Sequence, residues 1–536
     1  MNKADYLFIN ANAFTLDNHN PRADTVAVQG NKILFVGNES DSHDLKASHT
    51  IVIDCQQKTL LPGLTDSHFH LFWGALNLTN IQLEDIRGID NLRREVQTFK
   101  AKHPDKTFLR GSSLAYDVLP ANERLTRHHV DQIENEIPLI LVAFDFHSAW
   151  CNTAALEAAD IFQGSETESN AEVVMGTDGF ATGELREFQA MNLVLDLIPE
   201  PDVHEKECLL KDAIKLANSY GITSIHNMNG NQTEFAYYKR LDEANDLSLR
   251  ISFPFRMYPS NPLSDIKDEA LYLRDSYKSD KLKAGVLKLF MDGVIESFTG
   301  FMLEPYLNNS GTRGEAIFEA DHFNEICIRA DALDLQIAVH AIGDAAIRRT
   351  LDGYEIAQKR NGKRDSRHRI EHIEFLHPDD LNRFNKLGVI ASMQPYHCTR
   401  PEVNYLMPYL DYIPGTRYKD CFRWQGLRES GAQLVFGSDW PVVSMNPFLG
   451  IDAAVNRKPW KEDLAIEAQS IEDTLNAYTK DAAYAEFSES EKGQLKKGMF
   501  ADIILLAEDL FAMSNENLKD LQADLTMCDG KIVFER

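Results

Sequence analysis

The sequence has little from which covalent or membrane anchorage could be built. Its seven cysteines (Cys55, Cys151, Cys208, Cys327, Cys398, Cys421 and Cys528) are odd in number and scattered, with no Cys-x-x-Cys pair. That excludes a disulfide framework and a cysteine zinc site, and it reads as reduced thiols of a cytoplasmic protein. No run of about 18 apolar residues occurs, so no membrane span is expected. Met1 to Asn10 contains no apolar stretch of signal-peptide length. Positive charge is in deficit: 55 Lys and Arg against 82 Asp and Glu leave a net charge of −27. Such an acidic exterior repels nucleic acid and anionic membrane and points to a small-molecule partner. Internal repeats and low-complexity tracts are also lacking.

What is present is ordinary globular material, 43% hydrophobic and 26% charged over 536 residues. That length suits a large barrel of roughly 250 to 400 residues with accessories. Both ends alternate strand-like runs with turns: Tyr6-Leu-Phe-Ile, Thr25-Val-Ala-Val, Lys32-Ile-Leu-Phe-Val and Thr50-Ile-Val-Ile at the start, then Ala501 to Leu506, Asp524 to Met527 and Asp529 to Phe534. Neither end has strands enough for a comfortable sheet. The expectation is one small, β-sandwich-like domain built from residues 1–60 and 485–536.

Between them, 61–484 reads as strand and helix in alternation, the α/β pattern of a parallel barrel. Eight strands are expected: one ending at His70, then Gly221–Met228, Leu249–Met257, Gly285–Phe290, Leu335–His340, Arg369–Glu374, Gly388–Gln394 and Gln433–Asp439. Eight is the number that closes a TIM-type (β/α)8 barrel. About 150 residues separate the first two strands, far more than a βα connection needs. Residues from about 90 to 190 are therefore an insertion, with a strand-like run Pro138–Phe144 followed by Asp145-Phe-His-Ser-Ala-Trp-Cys-Asn152, which looks like a turn feeding a helix. Leaving the C-terminal end of the first strand, it can shape a pocket on the catalytic face.

Leu61-Pro-Gly-Leu-Thr-Asp-Ser-His-Phe-His70 places His68 and His70 two residues apart. In a strand both imidazoles then leave the same face and can grip one divalent ion. His340, His372 and Asp439 each close a later strand, and a barrel gathers its strand C-termini on one rim. Lys288, in Val286-Leu-Lys-Leu-Phe-Met-Asp-Gly293, interrupts an apolar strand. Carbamylation by carbon dioxide would turn it into a carboxylate able to bridge two ions.

These motifs resemble the amidohydrolase superfamily of metal-dependent hydrolases, in the branch of N-substituted formamide deformylase-like proteins. The resemblance also rests on His340-Ala-Ile-Gly-Asp344, His368-Arg-Ile-Glu-His372, Gln394-Pro-Tyr-His397, Phe436-Gly-Ser-Asp-Trp-Pro-Val442 and Lys497-Gly-Met-Phe-Ala-Asp502. It implies His68 and His70 on one ion, His340 and His372 on the other, Lys288 bridging, and Asp439 as ligand and general base. A metal-bound hydroxide would then attack a non-peptide, amide-type carbon–nitrogen bond, with Asp439 passing the proton to the leaving nitrogen. The nitrogen and oxygen donors suit zinc best, one or two ions per chain. His147, Trp73, Gln394, His397 and Trp440 are the expected substrate-binding residues; Trp150, Tyr116, Glu184 and Glu187 are weaker ones. His103, His128, His129 and His204 read as surface residues.

Two alternatives compete. A deaminase of the same fold carries a proton-shuttling Glu three residues past the fifth-strand histidine, where this chain has Gly343. A non-catalytic binding or regulatory protein on this scaffold would be marked by lost ligands, and none of the six positions is lost. A homodimer is the expected assembly on frequency alone.

Overall fold

The computed structural model describes residues 3–84, 86–120, 123–144, 146–167, 171–309, 311–399 and 412–536. Its centre is a sheet of eight parallel strands: Leu64–Phe69, Ile222–Asn227, Arg250–Arg256, Leu282–Phe290, Gln336–Ala341, Arg369–His372, Ile390–Met393 and Leu434–Phe436, each beside its sequence neighbour. All eight coincide with strands expected from the sequence, as the TIM-type architecture requires. Strands such as Leu434–Phe436 are legible because a strand covered on both faces is a near-continuous apolar run, whereas Leu64–Phe69 and Arg369–His372 are marked by histidines at their ends. The first and eighth strands meet where the backbone N–H of Asp439 donates to the carbonyl of His68 at 2.7 Å. There the N–H of His70 donates to the carbonyl of Trp440 at 2.9 Å. The barrel is thus joined by the residues that carry its candidate ligands.

The ends of the chain form two sheets. One, of six strands, interleaves both ends: Lys531–Glu535, Ala523–Cys528 and Ile503–Leu506 lie beside Thr59–Pro62, Asn12–Phe14 and Arg22–Ala23. The other is made of N-terminal strands alone, Lys32–Gly37, Thr25–Gln29, Tyr6–Ile9 and Ile51–Asp54. The expectation that neither end suffices for a sheet is therefore corrected. The parallel pairing of Tyr6–Ile9 with Ile51–Asp54 supplies the fourth strand. Phe8, Val26, Val28, Leu60, Ile503 and Leu525 share one buried core between the sheets.

The inserted region has a six-stranded sheet of its own, ordered Glu172–Met175, Ala181–Arg186, Ser148–Cys151, Leu139–Ala143, Leu109–Leu114 and Ile81–Gln82. It takes its first strand ahead of residue 90, the boundary read from sequence. Leu139, Leu141 and Ala143 feed one core with the helix Ile89–Lys102, and Ile140 and Val142 feed another with Thr153–Ala158 and Glu187–Leu195. That split is the two-residue period of a strand buried on both faces. The segment expected as a turn feeding a helix contains a strand first. Ser148–Cys151 pairs antiparallel with Leu139–Ala143 and with Ala181–Arg186, and only then does Asn152 cap the helix Thr153–Ala158. Asp145, which opens that motif, lies outside the described residues. No helix among the described residues is long and apolar enough to cross a membrane.

Candidate metal centre

The site grows from strand ends. His68 lies in the first strand and His70 immediately precedes the helix Leu71–Asn77 that follows it. Lys288 is in the fourth strand, His340 in the fifth, His372 closes the sixth, and Asp439 comes three residues after the eighth. All six are buried, and Lys288 is fully so. Asp439 Oδ1 lies 3.4 Å from His68 Nε2 and 3.0 Å from His70 Nε2. His372 bridges the two halves of the cluster. Its ring centroid is 4.8 Å from that of His68 and 4.4 Å from that of His340.

The nitrogens are assigned by their other partners. His68 Nδ1 donates to Glu371 Oε2 at 2.8 Å, leaving Nε2 as the lone-pair nitrogen toward Asp439. A carboxylate behind a histidine is the usual means of orienting a metal ligand. Nε2 of His340 donates to the carbonyl of Gly293 at 3.1 Å, which leaves Nδ1 as its lone-pair nitrogen. Burial pushes all four imidazoles down, His340 to about 3, which keeps them in the neutral form that ligation needs. Burial likewise lowers Lys288 to about 8.

Strain collects here too. His372, Ile373 and Asp439 have φ of 77°, 51° and 64°, a left-handed backbone that costs non-glycine residues about 1–3 kcal/mol each. Beside Asp439 the backbone is held by Asp66, whose Oδ1 accepts the N–H groups of His68 at 3.1 Å and Ser438 at 3.0 Å. Gly437 allows the close approach, since a Cβ there would lie 2.4 Å from the His68 nitrogen.

The donor set fits a divalent cation. Lys288 Nζ and His372 Nδ1 are buried without a hydrogen-bond partner, and His68, His70 and Asp439 offer ligand atoms within 4.8 Å of one another. A second group of the same kind is His372, Glu374 and His397. Glu374 was not singled out by sequence, although His372-x-Glu374 repeats the two-residue spacing of His68 and His70. Asp66, Arg369 and Glu371 were likewise passed over; their signal is charge inside apolar strands.

The expected substrate-binding residues divide. Trp73 stands over the site, its ring 5.5 Å from His70 and 4.2 Å from Phe146 of the insertion. His147 reaches in from the insertion and is held by Glu187 at 3.0 Å. Gln394 is buried with its amide nitrogen unpartnered, and His397 Nε2 lies 3.3 Å from the carbonyl of Ser438 and 4.0 Å from Asp439 Oδ2. The Trp440 ring packs on Phe69 at 5.0 Å and so closely on Gly74 that a Cβ there would lie 2.0 Å from it. Those contacts join the segment after the eighth strand to the first strand. Tyr116 packs on Trp150 at 5.6 Å, and Glu184 pairs with Arg186 at 2.7 Å. His103, His128 and His204 are exposed, while His129 accepts the N–H of Thr126 in a helix cap.

Residues 51–534 match the model of the amidohydrolase family. Protein LONG AFTER FAR-RED 3 of Arabidopsis thaliana is 30% identical over 551 residues, covering 99% of this chain and 92% of that protein. An N-substituted formamide deformylase of Arthrobacter pascens is 23% identical over 560 residues, 99% of this chain and 98% of its own. Among solved structures, an uncharacterized metal-dependent hydrolase from Pyrococcus horikoshii OT3 superposes with a TM-score of 0.75 at 23% identity. It covers 95% of this chain and 99% of that one.

Proposed function

The chain belongs to the amidohydrolase family, and from that premise we propose that it hydrolyses a non-peptide, amide-type carbon–nitrogen bond in a small molecule. The observation that carries the reading is the placement of His68 Nε2 and His70 Nε2 against a single oxygen of Asp439, at the mouth of a barrel. His68, His70 and Asp439 would hold one ion; His340, His372 and Lys288, as its carbamate, would hold a second. A bound divalent ion supplies Lewis acidity to the substrate carbonyl and makes water acidic enough to attack near neutral pH. Zinc suits the mixed nitrogen and oxygen donors best.

The chain's own groups do the rest. Asp439 takes a proton from the attacking water and returns it to the leaving nitrogen, so that an amine departs. Trp73, Phe146 and His147 shield the site on the insertion side, where excluding water strengthens every electrostatic contact. Lys288 is sealed from solvent and lowered to about 8, which raises the share of the neutral amine that carbon dioxide requires.

The deaminase reading meets a steric obstacle at Gly343, where a Cβ would lie 2.1 Å from the carbonyl oxygen of Phe301. No glutamate fits there without moving that loop. A non-catalytic role is opposed by the retention of all six ligand positions. Free thiols at all seven cysteines support a reducing, cytoplasmic setting.

Asp439→Asn tests the assignment. We expect kcat on N-substituted formamides or N-acyl amino acids to fall by about 10²- to 10⁴-fold while bound metal is largely retained. Undiminished turnover would remove Asp439 from the role of base.

A further inference from the structure

Barrels of this type fill their interior with layers of apolar side chains. Below the candidate ligands this one holds a line of ionised and polar groups instead. Behind His68, Glu371 is gripped twice by Arg369, Nε to Oε1 at 2.8 Å and Nη2 to Oε2 at 3.1 Å. Arg369 also donates to the carbonyl of Ser67 at 2.6 Å and the hydroxyl of Ser392 at 3.0 Å. Its last nitrogen donates to His226 Nδ1 at 2.6 Å.

A guanidinium only donates, so His226 Nδ1 accepts and its proton sits on Nε2. That nitrogen faces Glu486 Oε2 at 3.4 Å, and the other oxygen of Glu486 is ion-paired with Lys492 Nζ at 2.6 Å. Glu486 and Lys492 follow the last barrel helix, Lys480–Ala485, and line a small cavity with Arg250, Lys281 and Glu491. Arg250 is in turn tied to Asp502 and Asp529 of the terminal β-domain.

Burying each such ion costs several kcal/mol even when paired, and apolar residues of equal volume would pack the barrel as well. His226, Arg369 and Glu371 are 0–1% exposed. What the line supplies that apolar packing does not is direction. A carboxylate clamped by a guanidinium fixes which nitrogen of His68 bears hydrogen and where the other points.

We propose that Glu371, Arg369, His226, Glu486 and Lys492 are positioning residues. Together they hold His68 with Nδ1–H rearward and Nε2 toward the ion, so that metal affinity is set in part from the opposite end of the barrel. The inference rests on the reading of His68 as a ligand.

The test uses the full-length, metal-free chain and zinc, with affinity read by competition against a chromogenic chelator. Glu371→Gln is expected to weaken zinc about 10- to 100-fold. Glu486→Gln, at the far end, should weaken it severalfold, and the double variant should be no weaker than Glu371→Gln because the line is already cut. Imidazole ¹⁵N NMR of the metal-free protein should find His68 as the Nδ1–H tautomer in the wild type and as a mixture in Glu486→Gln. If Glu486→Gln does not fold, Lys492→Gln carries the same expectation. A Glu486→Gln protein that melts lower but keeps wild-type zinc affinity and tautomer would overturn the inference. A wild type that binds no zinc would overturn both this inference and the metal reading. Binding lost in His68→Ala but unchanged in Glu371→Gln and Glu486→Gln would overturn this inference alone.

Discussion

Lys288 has no exposed surface and no hydrogen-bond partner for its amine, which lies 4.8 Å from the centre of the Phe290 ring. A lysine so placed is destabilising unless something completes it, and a carbamate held between two cations would do so. Lys288→Ala should therefore lose one ion per chain by metal analysis, with short-chain carboxylates in solution partly restoring it. Unchanged metal content in that variant would exclude the bridge. At this scale the sequence displayed residues that break a pattern: a lysine in an apolar strand and histidines spaced by two. It hid those whose role lies in a partner far along the chain. Glu371 meets the ring of His68 across 303 positions, and Asp66 takes the N–H of Ser438 from the far end of the barrel's sequence.

Elements were legible where their pattern is local. Barrel strands such as Leu282–Phe290 and Leu434–Phe436 announce themselves as short runs rich in apolar residues, and helices such as Val203–Ser219 by their apolar spacing. Ser148–Cys151 was not, because its pairing with Ala181–Arg186 is set by contacts more than 30 residues away, while the Ala-rich stretch behind Asn152 suggests helix. The helix Gln232–Glu243 carries a further consequence. Glu234 is buried between Asn227 Nδ2 at 3.1 Å and the Tyr238 hydroxyl at 3.0 Å, and burial raises it from 4.5 to about 8. A carboxyl raised in the folded state contributes stability that is full below about pH 4.5 and lost as pH rises through about 8. Glu234→Gln keeps the acceptor and removes the titration. Its unfolding free energy should gain on the wild type between pH 4.5 and 8, by on the order of 3 to 5 kcal/mol. Parallel denaturation curves at the two pH values check this, and a constant difference would contradict it.

At the scale of the whole molecule, the fold's contribution is convergence. Parallel strands closed into a barrel bring His68, His340, His372 and Asp439, spread over most of the chain, to one rim, and the inserted sheet adds Phe146 and His147 above them. The terminal β-domain meets the barrel at its other end through Arg250, where the buried line of charges also arrives. The net charge of −27 supports the proposal of a small-molecule partner over a polyanion. The most direct measurement is metal content together with amide hydrolysis on the same purified chain. The account predicts one or two bound divalent ions and amine release from small N-substituted amides that disappears on chelation and returns with zinc. A chain that holds no metal and hydrolyses no amide when zinc is supplied would contradict it.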